Sequence, residues 1–365
     1  MKHTIYALTM FALAACTPPK EKAIDRHALV TRNNPEVTAM DSLSSLSVGN
    51  GEFAYTVDAT GLQTFPEVYK NGVPLGTQSQ WGWHSFGNPE NYKPEEALVE
   101  YDFGHGHKEL YATQPKEPGR AKEASDWYRV NPHRLHLGII GLELENEVRP
   151  SDVQNIQQSL DMWNGIINSR FTLKETPYYI QTVCHPERDM IAARLSARQP
   201  ASIKFHFPYP TGGHCDDACN WEANDKHSTT LVSEDAQSAV LKRTLDATTY
   251  YVTISWEGAA KLREKSANYF VLTPTDSVFT FTCQFTPQAS AAPILTFAEV
   301  QQASSGHWQN YWTQGAVADF SQCTDVRAKE LERRVVLSQY LLAIQCAGST
   351  PPCLLYTSDA ADEAR

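Results

Sequence analysis

The sequence predicts a mainly β protein, an antiparallel sandwich of many strands with helices gathered at its C-terminal end. Three observations predict it. Runs of aromatic and β-branched residues recur from about Ser42 to Pro287, each bounded by turn residues. Asn-Gly pairs, which favour the positive φ angles of tight hairpins, stand at Asn50-Gly51, Asn71-Gly72 and Asn164-Gly165. Strands do not alternate regularly with helices, as a parallel α/β sheet would require.

Taken in order, "LSVGNGEFAYTVDATG" alternates at Phe53, Tyr55 and Val57 between glycines. "LDMWNGIINSRF" places an Asn-Gly turn between two apolar runs. "RLHLGIIGLELE", "SIKFHFPYP", "TYYVTISWEG" and "NYFVLTPTDSVFTFTCQFTP" repeat the strand signature. After Pro287 the period changes. Phe297, Val300, Trp308, Tyr311 and Trp312 fall at helical spacings, and "AVADFSQC" leads to a last helix with Asp325 near its start, where the helix dipole favours an acid. In that helix Leu331, Val335, Val336, Leu337, Tyr340, Leu341, Leu342 and Ile344 cover more than half the circumference, so more than one side calls for cover. The sandwich supplies one side at most.

The chain has 365 residues, 41% hydrophobic and 20% charged, enough for one large β domain or two ordinary domains. Its net charge of −11 and lack of a basic stretch exclude nucleic acid as a partner. The opening "MKHTIYALTMFALAACTPPKEK" has a short polar start at Lys2 and His3 and an apolar run from Ile5 to Leu13 that is too short to span a bilayer. "LAAC" then resembles a bacterial lipoprotein cleavage box, which predicts lipidation of Cys16 and a polar tether behind it. The expected location is the bacterial cell envelope, periplasmic or outer-membrane, with the membrane as a partner through the lipid.

An oxidising compartment permits disulfides, and "GHCDDACNW" sets Cys215 and Cys219 close enough to pair locally. His214, Asp216 and Asp217 could turn the same loop into a metal site. A lone C-x3-C without a second ligand pair favours a disulfide or free thiols over metal, so no metal and no cofactor is expected.

The final residues read differently. "CLLYTSDAADE", Cys353 to Glu363, matches a translated transposon mosaic-end adapter of the kind used in sequencing libraries. The natural sequence is therefore expected to stop at about Pro352, and the chain to be the front part of a longer protein.

Three stretches together resemble glycoside hydrolase family 65 among the glycosidases and phosphorylases with a six-hairpin (α/α) barrel. They are "SVGNGEFAYTVDATGLQTF", "LDMWNGIINSRFTLKETPYYIQTVCHPERDMIAARLSA" and "SGHWQNYWTQGAVADF" continuing to "ELERRVVLSQYLLAIQCAG". The resemblance covers most of residues 27–352. It implies a β-supersandwich, a helical linker and the first helix of an (α/α)6 barrel that is otherwise missing. The implied division is a signal peptide over 1–16, a tether over 17–26, the supersandwich over 27–290, the linker over 291–322, the first barrel helix over 323–352 and adapter-derived residues over 353–365. It also implies cleavage of a glycosidic bond by a barrel glutamic acid, with a second carboxylate activating water or with phosphate attacking instead. One group must be protonated and the other charged at the same pH, which different surroundings arrange. Both lie downstream of Pro352, so no catalytic residue is assigned here and the fragment is expected to be inactive. Glu143, Glu145 and Glu147 read as strand-surface charges.

What remains is substrate contact from the sandwich. "QSQWGWHSFGNPENY" gathers Trp81, Trp83, His84 and Phe86 among glycines and polar residues. Sugars stack apolar C–H faces on aromatic rings and need polar partners for their hydroxyls, so Trp81, Trp83 and His84 are candidate saccharide contacts. Equally, tryptophans spaced by two form one buried face of a strand. "YPTGGHCDDACNWEANDKH", with His214, Asp216 and Trp221, is a second candidate loop or a stapled surface loop. His105 and His107 in "GHGHKE", and His185 and Asp189 in "CHPERDM", read as turn and strand-start residues. No phosphate-binding loop, nucleophile elbow or dinucleotide fingerprint is present. Of the competing classes, a non-catalytic carbohydrate-binding sandwich explains the anchor and aromatic loops but not the over-apolar last helix. A polysaccharide lyase usually orders its helices before its sandwich, and a phosphorylase lacks a dedicated phosphate pool in the periplasm.

Overall fold

A computed structural model describes residues 23–213 and 218–350. Cys16 and its lipidation, Cys215 and with it the pairing to Cys219, His214, Asp216, Asp217 and the adapter-like tail lie outside the described residues.

Among the described residues the largest sheet has nine antiparallel strands. In spatial order they are Glu36–Val37, Val153–Asp161, Ile166–Leu173, Thr176–Cys184, Met190–Ala197, Val278–Thr286, Thr248–Glu257, Ser238–Leu245 and His227–Glu234. A four-stranded sheet of Ala260–Ser266, Tyr269–Pro274, Ile203–His206 and Ile139–Leu142 belongs to the opposing layer. So does a three-stranded sheet of Leu46–Gly49, Phe53–Val57 and Thr77–Ser79. The architecture is the antiparallel sandwich that the alternation predicts.

Inward residues of the layers meet in one core. Phe205 meets Phe281 edge-on with ring centroids 6.0 Å apart, and Phe53 stacks on Phe285 at 5.9 Å. Two buried tyrosines tie the sheets together: Tyr55 Oη donates to the Ile140 carbonyl, joining the three- and four-stranded sheets, and Tyr250 Oη reaches from the large sheet to the Leu137 carbonyl, each at 2.8 Å. Cys184 and Cys283 face this core on either side of Ile191, two strands apart. That separation is roughly twice the 4.8 Å strand spacing, beyond disulfide reach.

Most polar groups in the core are engaged; among the described residues the buried side-chain atoms Gln158 Oε1, Trp256 Nε1 and Thr286 Oγ1 have no partner. Arg243 occupies an inward position between Leu241 and Leu245, completely buried. It donates to Thr229 Oγ1, Asn268 Oδ1, the Pro208 carbonyl, His227 Nδ1 and Tyr250 Oη. The loop from Asp58 to Phe65 is buried throughout and is tied by the Asp58 carboxylate, which accepts from the backbones of Thr60, Thr64 and Phe65 and from Thr60 Oγ1.

The turn chemistry follows the sequence at two of three places. Gly51 takes φ +95° in the turn between Leu46–Gly49 and Phe53–Val57, and Gly165 takes φ +68° before Ile166–Leu173. Asn71-Gly72 does not make a hairpin. It closes the short helix Pro66–Tyr69, with the Gly72 amide donating to the Tyr69 carbonyl at 3.0 Å.

The linker helix runs from Phe297 to Thr313, capped by Thr296 and Glu299 in a reciprocal box. It buries Phe297, Val300, Trp308 and Trp312 against the large sheet, whereas Tyr311 lies at the surface and donates to the Gln339 carbonyl. Gly165 is required by this packing: a Cβ there would lie 2.1 Å from Trp308 Cδ1.

The last helix spans Ala328–Cys346 and buries one stripe, Glu332, Val336, Tyr340 and Ile344. Its carboxylate member is held by Arg32 Nε and Nη2 at 2.8 Å each and by Asn33 at 2.9 Å, which ties the helix to the N-terminal helix Arg26–Thr31. Gly49 lets the helix end approach the sandwich, since a Cβ there would stand 2.8 Å from the Ile344 carbonyl. Leu331, Leu341 and Leu342 remain exposed. The sandwich covers one side of this helix, as the sequence predicts, and nothing among the described residues covers the others.

Candidate functional site

The segment "QSQWGWHSF" leaves the three-stranded sheet at Ser79 and enters a two-stranded pair in which Trp83–His84 runs beside His133–Arg134. Between these strands the chain makes an excursion over residues 85–132, which contains the helix Arg120–Val130 and a hairpin of Leu98–Asp102 with Lys108–Ala112. His84 lies directly opposite His133 in register, so the root of the excursion is an imidazole pair.

Each candidate residue has a definite place. Trp81 is half-buried, with Nε1 donating to Asp189 Oδ2 at 2.6 Å and its ring 5.9 Å from that of Tyr250. Ser79 Oγ donates to the same carboxylate oxygen at 2.5 Å. Burial pushes the Asp189 carboxyl above the usual carboxylate range, and these donors partly oppose it. Trp83 carries the Arg134 guanidinium on its ring at 4.3 Å, and Arg134 Nη1 donates to the carbonyls of Ser79 and Gln80. The two tryptophans thus serve different partners and do not form one face.

His84 is buried and both its ring nitrogens are engaged. Nε2 stands 3.0 Å from Asp246 Oδ2, and Nδ1 stands 3.1 Å from His133 Nε2. His133 Nδ1 stands 2.7 Å from the Val130 carbonyl. The carboxylate and the carbonyl at the two ends of this row only accept, so the contacts between them call for one ring hydrogen more than two neutral imidazoles carry. Burial opposes that extra proton and holds both rings below the usual imidazole range, while Asp246 pulls His84 back toward it. Tyr209 Oη also donates to Asp246 Oδ2, at 2.8 Å, and burial followed by this carboxylate pushes the phenol up to about 12.

Phe86 lies across the row, 5.2 Å from His84, 4.8 Å from His133 and 6.0 Å from Tyr209 by ring centroids. Lys226 Nζ sits 5.6 Å from the Tyr209 ring centre. His84 and Phe86 share one sequence motif, Tyr209 and Lys226 lie in the second candidate loop, and His133 and Asp246 come from distant segments that carry no local signature.

The other singled-out residues are structural in their contacts. Trp221 packs on His206 and His136. His105 and His107 sit at the exposed hairpin tip, where His105 takes φ +55°. His185 Nδ1 accepts the Glu187 amide at a turn. Glu143 accepts from Tyr269 and Lys265, and Glu145 pairs with Lys174. No group of three or more metal-ligating side chains converges among the described residues.

No protein-family model matches the chain, and no curated protein matches it. Among solved structures the chain is similar to a protein described as a kojibiose phosphorylase from the human microbiome, with a TM-score of 0.42 and 9% identity over 82% of this chain and 39% of that one. It is also similar to a bacterial glucoamylase complexed with acarbose, at 0.40 and 10% over 85% and 42%. A family GH92 alpha-mannosidase from Bacteroides thetaiotaomicron follows at 0.33 and 9%, over 87% and 41%. The chain spans about two fifths of the length of these proteins.

Proposed function

We propose that this chain is the sandwich part of a bacterial, lipid-anchored glycosidase of the family 65 type, acting on an oligo- or polysaccharide. In this reading a carboxylate pair in a helical barrel beyond residue 352 carries the acid/base chemistry. The sandwich and linker position that barrel and contribute loops to the saccharide. The observation that carries the reading is the last helix. It buries a single stripe on the sandwich and leaves Leu331, Leu341 and Leu342 in water, an arrangement that a further helical layer would cover.

The test is to clone the locus from an independent genomic source, read past the codon for Pro352, and assay the encoded protein for release of reducing sugar. The longer protein is expected to hydrolyse a glycosidic bond, and the 365-residue chain is expected to release none. A locus that encodes "CLLYTSDAADEAR" and stops would sink the reading. The anchor is checked separately: radiolabelled palmitate is expected in the wild-type chain and absent after Cys16→Ser. Equal label in both would remove the anchor.

A non-catalytic saccharide-binding sandwich is the second reading, favoured by the 98–112 hairpin. Its Val99, Tyr101, Phe103 and Tyr111 share one face and all are about half exposed. Under that reading the full chain binds polysaccharide without cleaving it.

A further inference from the structure

Asp246 stands in the turn between the strands Ser238–Leu245 and Thr248–Glu257, and its side chain is 40% exposed. One oxygen, Oδ2, takes both donors from within the protein, His84 Nε2 and Tyr209 Oη, each of which is buried. Two donors on one oxygen fix the plane of the carboxylate and leave Oδ1 without a partner among the described residues. Lys226 is exposed, makes no ion pair among the described residues, and holds its ammonium 5.6 Å from the centre of the Tyr209 ring, whose hydroxyl donates to Asp246. Phe86, half-buried, supplies an apolar wall next to Tyr209 and His84. Three separate segments thus bring an oriented acceptor, a donor and an aromatic edge around Tyr209.

The charges decide what fits. An anionic ligand is repelled by Asp246. A metal ion is opposed by the Lys226 ammonium and by the donors already on Oδ2, and no set of three or more metal-ligating side chains converges among the described residues. A neutral molecule that offers hydroxyl hydrogens to Oδ1, hydroxyl oxygens to Lys226 and a C–H face to Phe86 satisfies all three groups. We propose that Asp246, Lys226 and Phe86 form a saccharide subsite at the root of the 85–132 excursion, with Asp246 accepting and Lys226 donating to ring hydroxyls. His84 and Tyr209 are positioning residues there, acting through Asp246. The inference rests on the saccharide reading above and assigns it a place.

The experiment is affinity electrophoresis of the full chain through gels containing soluble starch, mannan, laminarin or xylan. Wild-type protein is expected to be retarded by at least one polymer. Asp246→Asn and Lys226→Met are each expected to weaken that retardation at least tenfold, and Asp235→Asn, at the other end of the same strand hairpin, to leave it unchanged. Lys226 is a surface residue, so its variant keeps the test valid if Asp246→Asn does not fold. Retardation of both variants equal to wild type overturns the subsite while leaving the saccharide reading intact. Passage of wild type through all four gels without retardation overturns both.

Discussion

Replacing Asp58 with alanine is expected to cost the fold about 4 kcal/mol, because the buried amides that its carboxylate receives would be left without an acceptor. The amides of Thr60, Thr64 and Phe65 approach it at 2.7, 2.8 and 2.7 Å, inside a loop that is buried from Asp58 to Phe65. Asp58→Asn is expected to lose nearly as much, since its amide nitrogen would face an N–H donor. Burial pushes the Asp58 carboxyl above its usual range despite these donors, so acid does not test these hydrogen bonds through loss of stability and the alanine variant does. Urea unfolding of the two variants measures it; a loss under about 1 kcal/mol would mean the loop finds other acceptors.

Mild acid is expected to destabilise the protein through two histidines. Burial holds His206 and His227 down to about 4, assisted by the charge of Lys204 and Arg243 on His206 and of Arg243 on His227. In the unfolded chain both titrate near the ordinary imidazole value of about 6.5. Between those values the unfolded chain binds more protons than the folded one, so stability rises with pH across that window and falls as pH drops from about 6.5 toward 4. The loss is on the order of 2–3 kcal/mol for each ring once partial solvent access is allowed for. Denaturant midpoints at pH 7 and pH 4.5 check it, with the His206→Gln/His227→Gln double variant as comparison. The variant is expected to lose much of the pH slope. An unchanged slope would show that other groups carry the acid sensitivity.

Both predictions rest on residues that the sequence does not mark. Arg243 stands in an inward row between Leu241 and Leu245, and no local pattern signals that a cation can stand there. The five acceptors that make it tolerable come from Pro208, His227, Thr229, Tyr250 and Asn268. Asp189 reads as a strand-start residue, and the fold makes it the acceptor for Ser79 and Trp81. Glu332 stands in a largely apolar helix, and Arg32 and Asn33, some 300 residues away along the chain, bury it. The motif "QSQWGWHSF" reads as one aromatic loop. In the structure Trp81 goes to Asp189, Trp83 to Arg134 and His84 to Asp246, three partners on three different segments.

By itself the sequence determined the sandwich, the positive-φ turns at Gly51 and Gly165, and the single-sided cover of the last helix. Each of these depends on periodicity or turn chemistry within a few residues, where backbone geometry leaves little choice. Tertiary structure alone decided which polar side chains are spent inside the protein and which face water. His84 and Asp246 are 162 residues apart, and only the packing of the excursion root against the turn after Leu245 brings them within 3.0 Å. A carboxylate's role follows from the donors around it, and local pattern holds no record of donors that arrive from so far along the chain.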